Sequence, residues 1–370
     1  MREKLIKAIF YSLVACCAIV IVLLSLEIYF RLNGSYNLNG IQYNDCEVWR
    51  WRKNVADPVT NNEEGLKFIV HTDKFGFRNY KKELHKPKDV IRILILGDSY
   101  TSGLSYPDDK IFTSLLEKNL ANINPAGKKI EVIGASSPGW STEQELLCLQ
   151  HEAMQYEPDY VLLMACPNDI REAYCKKFAV LDSNGEVKFN YPGISKSDLL
   201  YWKLSTHSSL FIWLEPTFLD IHYGTFEQLT KYFAFNFGKE DGKNWDRPVF
   251  LKSSFYELDQ ARKLFLTLVG KMHDEGNRKR IHFAVSLVPT KIEFDNTMKI
   301  DTAMQSGLVS DMLQHYCDST GIDYVNLYGK FKNDANPTSY FLKSDFHYNG
   351  KGHIGTAEGL TEYYKKILKQ

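Results

Sequence analysis

The stretch Val90-Ile91-Arg92-Ile93-Leu94-Ile95-Leu96-Gly97-Asp98-Ser99-Tyr100 decides how the rest of the chain is read. Up to Leu96 it is apolar apart from Arg92 and rich in β-branched side chains, the pattern of a strand covered on both faces of a parallel sheet. Gly97 ends the run, and a helix is expected at Ile111–Leu120. The rhythm continues with a strand near Ile130–Ile133, a helix near Thr142–Met154 and a strand at Tyr160–Met164. After these come a helix at Glu257–His273, a strand at Ile281–Val288, a helix at Leu308–Cys317, a strand at Tyr324–Leu327 and a last helix at Gly355–Leu368. Such alternation implies an α/β domain of three layers, with helices on both faces of a mainly parallel sheet, over residues 89–370. Residues that do chemistry then belong at the carboxyl ends of the strands.

Residues 31–88 are polar and aromatic with turn signals and read as a stalk and lead-in, in which Leu66–His71 and Asp73–Phe77 form a short strand pair. Residues 171–252 break the alternation with an aromatic-rich insertion containing Tyr201, Trp202, Phe211, Trp213, Phe218, Tyr232, Phe233, Phe235, Phe237 and Trp245. These rings suit either a satellite core or a lid that stacks on a sugar or acyl chain, and ordinary packing is the simpler reading.

Ala8 to Leu26 is a run of 19 residues without charge, and continuing to Phe30 admits only Glu27. At about 1.5 Å per residue it matches a bilayer's hydrocarbon thickness. Residues 8–30 are therefore expected to be a single transmembrane signal anchor, with residues 1–7 as a cytoplasmic tail. Arg2, Lys4 and Lys7 precede the run and only Arg31 follows it closely, so the positive-inside rule puts the remainder outside the cytoplasm. A cleaved signal lacks support because no A-x-A-like site follows. The lipoprotein-like Leu13-Val14-Ala15-Cys16 is followed by apolar rather than polar residues.

The chain has 370 residues, 44% hydrophobic and 14% aromatic, with 45 Lys+Arg against 45 Asp+Glu. Those proportions describe a globular protein with a sizeable core and exclude collagen-like or disordered classes. A formal net charge of zero, with no basic stripe, removes nucleic acid from the expected partners. The seven cysteines are irregularly spaced, which leaves room for one disulfide but indicates no disulfide framework and no structural metal.

Four short blocks could carry chemistry. Gly97-Asp98-Ser99-Tyr100 puts a serine at a strand-to-helix turn, where a nucleophile gains exposure and nearby backbone N–H groups. A plain N-cap would use the same residue types. Ser137-Pro138-Gly139-Trp140-Ser141-Thr142 offers a glycine N–H, and Cys166-Pro167-Asn168-Asp169 an asparagine amide, each after its own strand. Ser344-Asp345-Phe346-His347 places a carboxylate two residues before a histidine that it could orient as a general base. Asp345, His347 and His353 together would make a poor metal site, lacking a fourth ligand and a zinc-type spacing. Cys166 is a weak rival nucleophile, with neither a helix N-terminus nor a histidine beside it to activate the thiol.

In that order the blocks resemble the SGNH hydrolases, the GDSL esterase/lipase superfamily: GDSY at 97–100, the glycine of SPGWST at 139, ND of CPNDI at 168–169, and DFHYNGKGH at 345–353. The likeness spans about residues 65–368, including DKFGFR at 73–78. It implies a flavodoxin-like α/β/α fold with Ser99 as nucleophile, His347 as base and Asp345 as its partner. Ser99, Gly139 and Asn168 would form the oxyanion hole, with no cofactor or metal. Two departures stand out: Cys166 replaces the usual glycine of the third block, and the aspartate precedes the histidine by two residues rather than three. The shorter spacing is similar to relatives that add or remove acetyl groups on envelope polysaccharides. The resemblance thus implies a membrane-anchored esterase of an acylated glycan, or an O-acetyltransferase served by an acyl-donor membrane partner. A non-catalytic glycan-binding scaffold is the third reading.

Overall fold

The computed structural model describes residues 2–33, 41–44, 46–79, 82–121, 123, 127–190, 196–214, 247–295 and 303–369. The chain divides into two compact units, Met1–Tyr43 with Gly193–Gln228, and Asn44–Pro192 with Leu229–Gln370. The insertion aromatics Phe218, Tyr232, Phe233, Phe235, Phe237 and Trp245 lie outside the described residues.

In the first unit, α1 (Arg2–Asn33) is one uninterrupted helix, and its Glu3–Leu32 stretch is long and apolar enough to cross a membrane. Most of its large apolar side chains are exposed, with Phe30 near its end buried. β1 (Ile41–Asn44) follows it. Near the end of α1, Glu27 accepts the Ser209 N–H at 3.1 Å, the Leu210 N–H at 2.9 Å and the Ser208 hydroxyl at 2.8 Å. One carboxylate thereby satisfies backbone donors that a helix start leaves open. Phe30 stacks on Trp213 with ring centroids 5.0 Å apart.

The second unit carries the remaining strands: β2 (Val48–Trp51), β3 (Ala56–Asn61), β4 (Leu66–His71), β5 (Val90–Gly97), β6 (Lys129–Ser136), β7 (Tyr160–Ala165), β8 (Ala179–Leu181), β9 (Val187–Phe189), β10 (His282–Leu287) and β11 (Asp323–Val325). Five form a wholly parallel sheet in the order β11-β10-β7-β5-β6. Numbered along the chain, these five run 2-1-3-4-5 across the sheet, the flavodoxin-like order, with its switch point between β5 and β7. Residues Ile93 to Leu96 are fully buried, as the apolar run of β5 demanded. Helix α3 (Phe112–Leu120) packs with the C-terminal helix Gly350–Ile367, while α4 (Thr142–His151) and α5 (Pro167–Lys176) pack with helix Tyr256–Lys279. The sheet lies between these two helical layers.

Arg92, the polar residue inside β5, is fully buried yet saturated. It donates to Leu84 O at 2.7 Å, Tyr156 O at 2.8 Å, Glu83 O at 2.6 Å and the Glu131 carboxylate at 2.8 Å. Glu131 stands opposite Arg92 in the β5–β6 register, so the charge has a cross-strand partner. From Asn44 onward the lead-in belongs to the same unit as the sheet. Asn79 exchanges two hydrogen bonds with the Gly134 backbone of edge strand β6, at 2.8 and 3.1 Å. Arg78 donates to Ser102 O, Gly103 O and Tyr106 O, and pairs with Asp108.

Several boundaries differ from the expected ones. Leu66–His71 pairs antiparallel with Ala56–Asn61, not with Asp73–Phe77. Pro58 obscured that strand, though proline is tolerated in an edge strand. Asp73–Phe77 is a turn, because the Asp73 side chain accepts the Phe75 and Phe77 N–H groups and Gly76 takes φ +87°. The helix expected to reach Met154 ends at His151 and is followed by a 3₁₀ turn, Ala153–Tyr156. Leu327 opens a short helix, Leu327–Lys332, instead of closing a strand, since the Asn326 side chain caps it through the Gly329 N–H at 2.9 Å. The last helix starts at Gly350 rather than Gly355. Asn349 caps it, and the helix lies so close to Tyr340 that a Cβ at Gly355 would come within 2.8 Å of the ring. Close packing there outweighs the poor helix propensity of glycine.

Gly97 is required by crowding, since a Cβ there would sit 2.7 Å from Thr101 Cβ and overlap its hydroxyl. Gly97→Ala is expected to destabilise the fold by about 1–3 kcal/mol, the usual range for overpacking. A lower midpoint in chemical denaturation of the detergent-solubilised chain would report it; an unchanged midpoint would contradict the crowding.

Candidate active site

Asp98 lies beyond the carboxyl end of β5, and its side chain accepts the Tyr100 N–H at 2.9 Å, capping the short helix α2 (Ser99–Ser102). The cap is therefore Asp98 and not Ser99. Relieved of capping, the Ser99 hydroxyl lies 2.8 Å from His347 Nε2. His347 Nδ1 lies 2.8 Å from Asp345 Oδ2. The three side chains form one continuous relay, partly open to solvent. With Asp345 ionised, Nδ1 carries the proton and Nε2 is left as the acceptor of the serine O–H. The hydrogen bond from His347 holds the Asp345 carboxyl below its ordinary range against the opposing pull of burial.

Positions flanking Ser99 come from the strands on either side of β5. Gly139, after β6, is exposed with φ +70°, a left-handed conformation that glycine adopts without strain. Trp49 Nε1 donates to Pro138 O at 2.9 Å and Trp140 Nε1 to Trp49 O at 2.6 Å, so the turn is fastened from both sides. Asn168, after β7, is the second residue of α5. Its Nδ2 donates to Glu172 Oε1 at 3.0 Å, which leaves the amide's second N–H for another acceptor.

Cys166 is the N-cap of α5, so this cysteine does stand at a helix N-terminus, contrary to the sequence reading. Its backbone is extended, with φ −108° and ψ 145°, a conformation open to any residue. A cysteine rather than a glycine at this position therefore imposes no backbone strain ahead of Asn168. The thiol is buried and hydrogen-bonds Asp98, which joins the first and third blocks. Asp169 reaches back to the Cys166 N–H at 2.8 Å, completing a capping box. His353 is buried against α3, where Nδ1 accepts the Phe112 N–H at 3.3 Å, and burial pulls its pKa down to about 3. It is a neutral structural group.

Several residues that the motifs did not flag hold the relay in place. Tyr100 donates through its hydroxyl to Phe346 O at 2.8 Å, tying the serine turn to the histidine loop. Lys291 is buried and donates to Leu342 O, Lys343 O and Asp345 O at 2.8, 3.0 and 3.4 Å. Glu63, in the turn between β3 and β4, accepts the Lys343 and Ser344 N–H groups at 2.5 and 2.9 Å. Those backbone N–H bonds draw the Glu63 pKa down to about 2. Tyr100 was visible inside the first block, whereas Glu63 and Lys291 carry no local signal.

No family model matches the chain, and no curated protein matches it. Among solved structures the chain is similar to a GDSL-like lipase from Bacteroides thetaiotaomicron, at 12% identity over 78% of this chain and 94% of that one, with a TM-score of 0.40. It is similar also to a lipase/acylhydrolase from Enterococcus faecalis, at 13% identity over 75% and 96% of the two chains, with a TM-score of 0.40. An acetyl xylan esterase matches at 14% identity over 74% and 99%, again with a TM-score of 0.40.

Carboxylates are concentrated in the interior of this unit. Asp98, Glu143, Glu145 and Asp169 are all buried, and burial raises the pKa of each. Asp98 is pushed up to about 6, chiefly by burial, against the Tyr100 N–H and His347, which favour its ionised form. An aspartate with a raised folded pKa binds its proton more tightly in the native state. Its contribution to stability is full below the unfolded value of 3.8 and is lost as pH rises through about 6. Asp345 acts oppositely, and its contribution is lost as pH falls below the usual carboxylate range. Denaturation midpoints of the detergent-solubilised chain should accordingly decline between about pH 4 and 6. Asp98→Asn should flatten that decline; an identical slope in wild type and variant would contradict the assignment.

Proposed function

We propose that the protein is an SGNH-type serine esterase, tethered to the membrane by α1, that acts on acyl esters, O-acetyl above all, of an extracytoplasmic glycan. The observation that carries this reading is the Ser99–His347–Asp345 relay, with 2.8 Å at each step, at the switch point of a parallel sheet. That crevice is where open α/β sheets bind their ligands.

In this reading Ser99 Oγ attacks the ester carbonyl carbon as its proton passes to His347 Nε2. The carbonyl oxygen gains the negative charge and is met by the Ser99 N–H, the Gly139 N–H and the free N–H of Asn168. Asp345 stabilises the imidazolium. Collapse of the tetrahedral intermediate expels the sugar alkoxide, which takes the proton from His347 and leaves an acyl-Ser99 ester. Water, deprotonated by the same histidine, then attacks the acyl carbon, releasing the carboxylic acid and restoring the serine. A sugar hydroxyl in place of that water would make the reaction an acyl transfer. The short Asp345–His347 spacing, similar to that of enzymes that add or remove polysaccharide acetyl groups, fits either outcome, and transfer would draw on an acyl-donor partner in the membrane. The basic residues Arg2, Lys4 and Lys7 before the span support a catalytic unit outside the cytoplasm.

The full chain in detergent should hydrolyse p-nitrophenyl acetate, and Ser99→Ala should lower kcat by about 10³-fold or more while the protein stays folded. Adding an acetylated or unacetylated polysaccharide separates release of acetate from transfer to glycan. Turnover that survives in Ser99→Ala would refute the mechanism.

A further inference from the structure

Lys176, the last residue of α5, lies far from the relay in sequence and outside every motif, yet its ammonium group is buried where the two oxyanion segments meet. It donates to Gly139 O at 2.6 Å, to Ser141 Oγ at 2.9 Å and to Gln144 Oε1 at 3.1 Å. It also pairs with Glu172 Oε2 at 2.8 Å, one helical turn back. The other oxygen of Glu172 accepts the Asn168 amide at 3.0 Å. One chain of contacts thus runs from the Gly139 carbonyl through Lys176 and Glu172 to Asn168. Trp49 lies beneath the ammonium, with its ring centre 5.1 Å away, and fastens the same turn through Pro138.

We infer that Lys176 is a positioning residue that sets the spacing of the two oxyanion donors outside the serine turn, Gly139 and Asn168. The inference rests on the proposed esterase reading for its catalytic consequence, but the cross-link itself is independent of turnover. The two donors lie in the loops that follow β6 and β7, strands that each pair with β5 but not with one another, so no direct backbone ladder joins the two loops. A buried ammonium with several simultaneous acceptors does join them. Oxyanion donors act only when their geometry is prepared before the charge develops, so a change in spacing appears in kcat more than in KM. Without Lys176, Glu172 also loses its nearest cation and Gly139 O an ordered donor.

The test uses the full chain in detergent with p-nitrophenyl acetate as probe, together with amide hydrogen exchange over residues 137–141. Lys176→Met should lower kcat by about 10- to 100-fold with KM within about threefold, and should speed exchange in the glycine turn. Lys176→Arg, which keeps the charge, should recover part of kcat. In an Asn168→Ala background the same Lys176→Met change should cost a smaller factor, because one of the two donors whose spacing it sets is already removed. Should Lys176→Met fail to fold, Glu172→Gln breaks the same chain of contacts and is expected to lower kcat in the same way. Equal factors in both backgrounds, or wild-type kcat and exchange, would overturn the inference. If the folded wild type has no turnover, the esterase reading falls, and exchange over 137–141 alone decides whether Lys176 holds the turn.

Discussion

The hydrogen bond from the Tyr100 N–H to the Asp98 carboxylate is the constraint on which the candidate site at the carboxyl end of the sheet turns. A chain leaving a buried parallel strand for a helix must satisfy backbone donors at once, and the first polar side chain available normally does so. Here Asp98 takes that duty and the next residue, Ser99, is left with an uncommitted hydroxyl. Gly97 lets the turn close against Thr101, and the Cys166 thiol supports Asp98 from the neighbouring block. The result is a serine that faces His347 from a rigid strand end rather than from a mobile loop. Keeping Asp98 buried has an electrostatic consequence, since its pKa rises and couples the turn to pH.

Placement of the histidine is a separate problem, because the 342–347 loop is far from the sheet in sequence. Three contacts hold it: the Lys291 ammonium on three carbonyls, Glu63 on two backbone N–H groups, and the Tyr100 hydroxyl on Phe346 O. Each satisfies backbone groups that a loop would otherwise leave to water. Together they draw on the lead-in hairpin, the serine turn and the segment after β10. This explains why the lead-in from Asn44 onward belongs to the same compact unit as the sheet.

Legibility in the sequence followed the range of the interactions concerned. β5 and β7 were readable because burial on both faces writes a nearly continuous apolar run, and Ser99, Asp345 and His347 drew notice because their residue types and order match those of the resemblance, and the fold brings them together. The strand Ala56–Asn61 was hidden by Pro58, and the helix start at Gly350 by a run of glycines of which Gly352 and Gly355 serve close approach rather than flexibility. Glu63 and Lys291 were invisible for another reason: a charged surface-type residue in a turn or short helix says nothing about a partner loop that the fold brings to it. Lys176 belongs to the same class, one basic residue near a helix C-terminus where a lysine needs no special explanation. Cys166 was misjudged because α5, which begins directly after it, straddles the start of the insertion at residue 171, where the alternation of strands and helices gave no sign of a helix.

If Ser99 is an activated nucleophile, it is open to covalent capture. The folded chain would be treated with a fluorophosphonate, and the adduct located by mass spectrometry of its peptides. One phosphonyl group per chain is expected, on Ser99, and none in His347→Ala. A folded protein that takes up no adduct at Ser99, or takes it up equally well without His347, would contradict that reading.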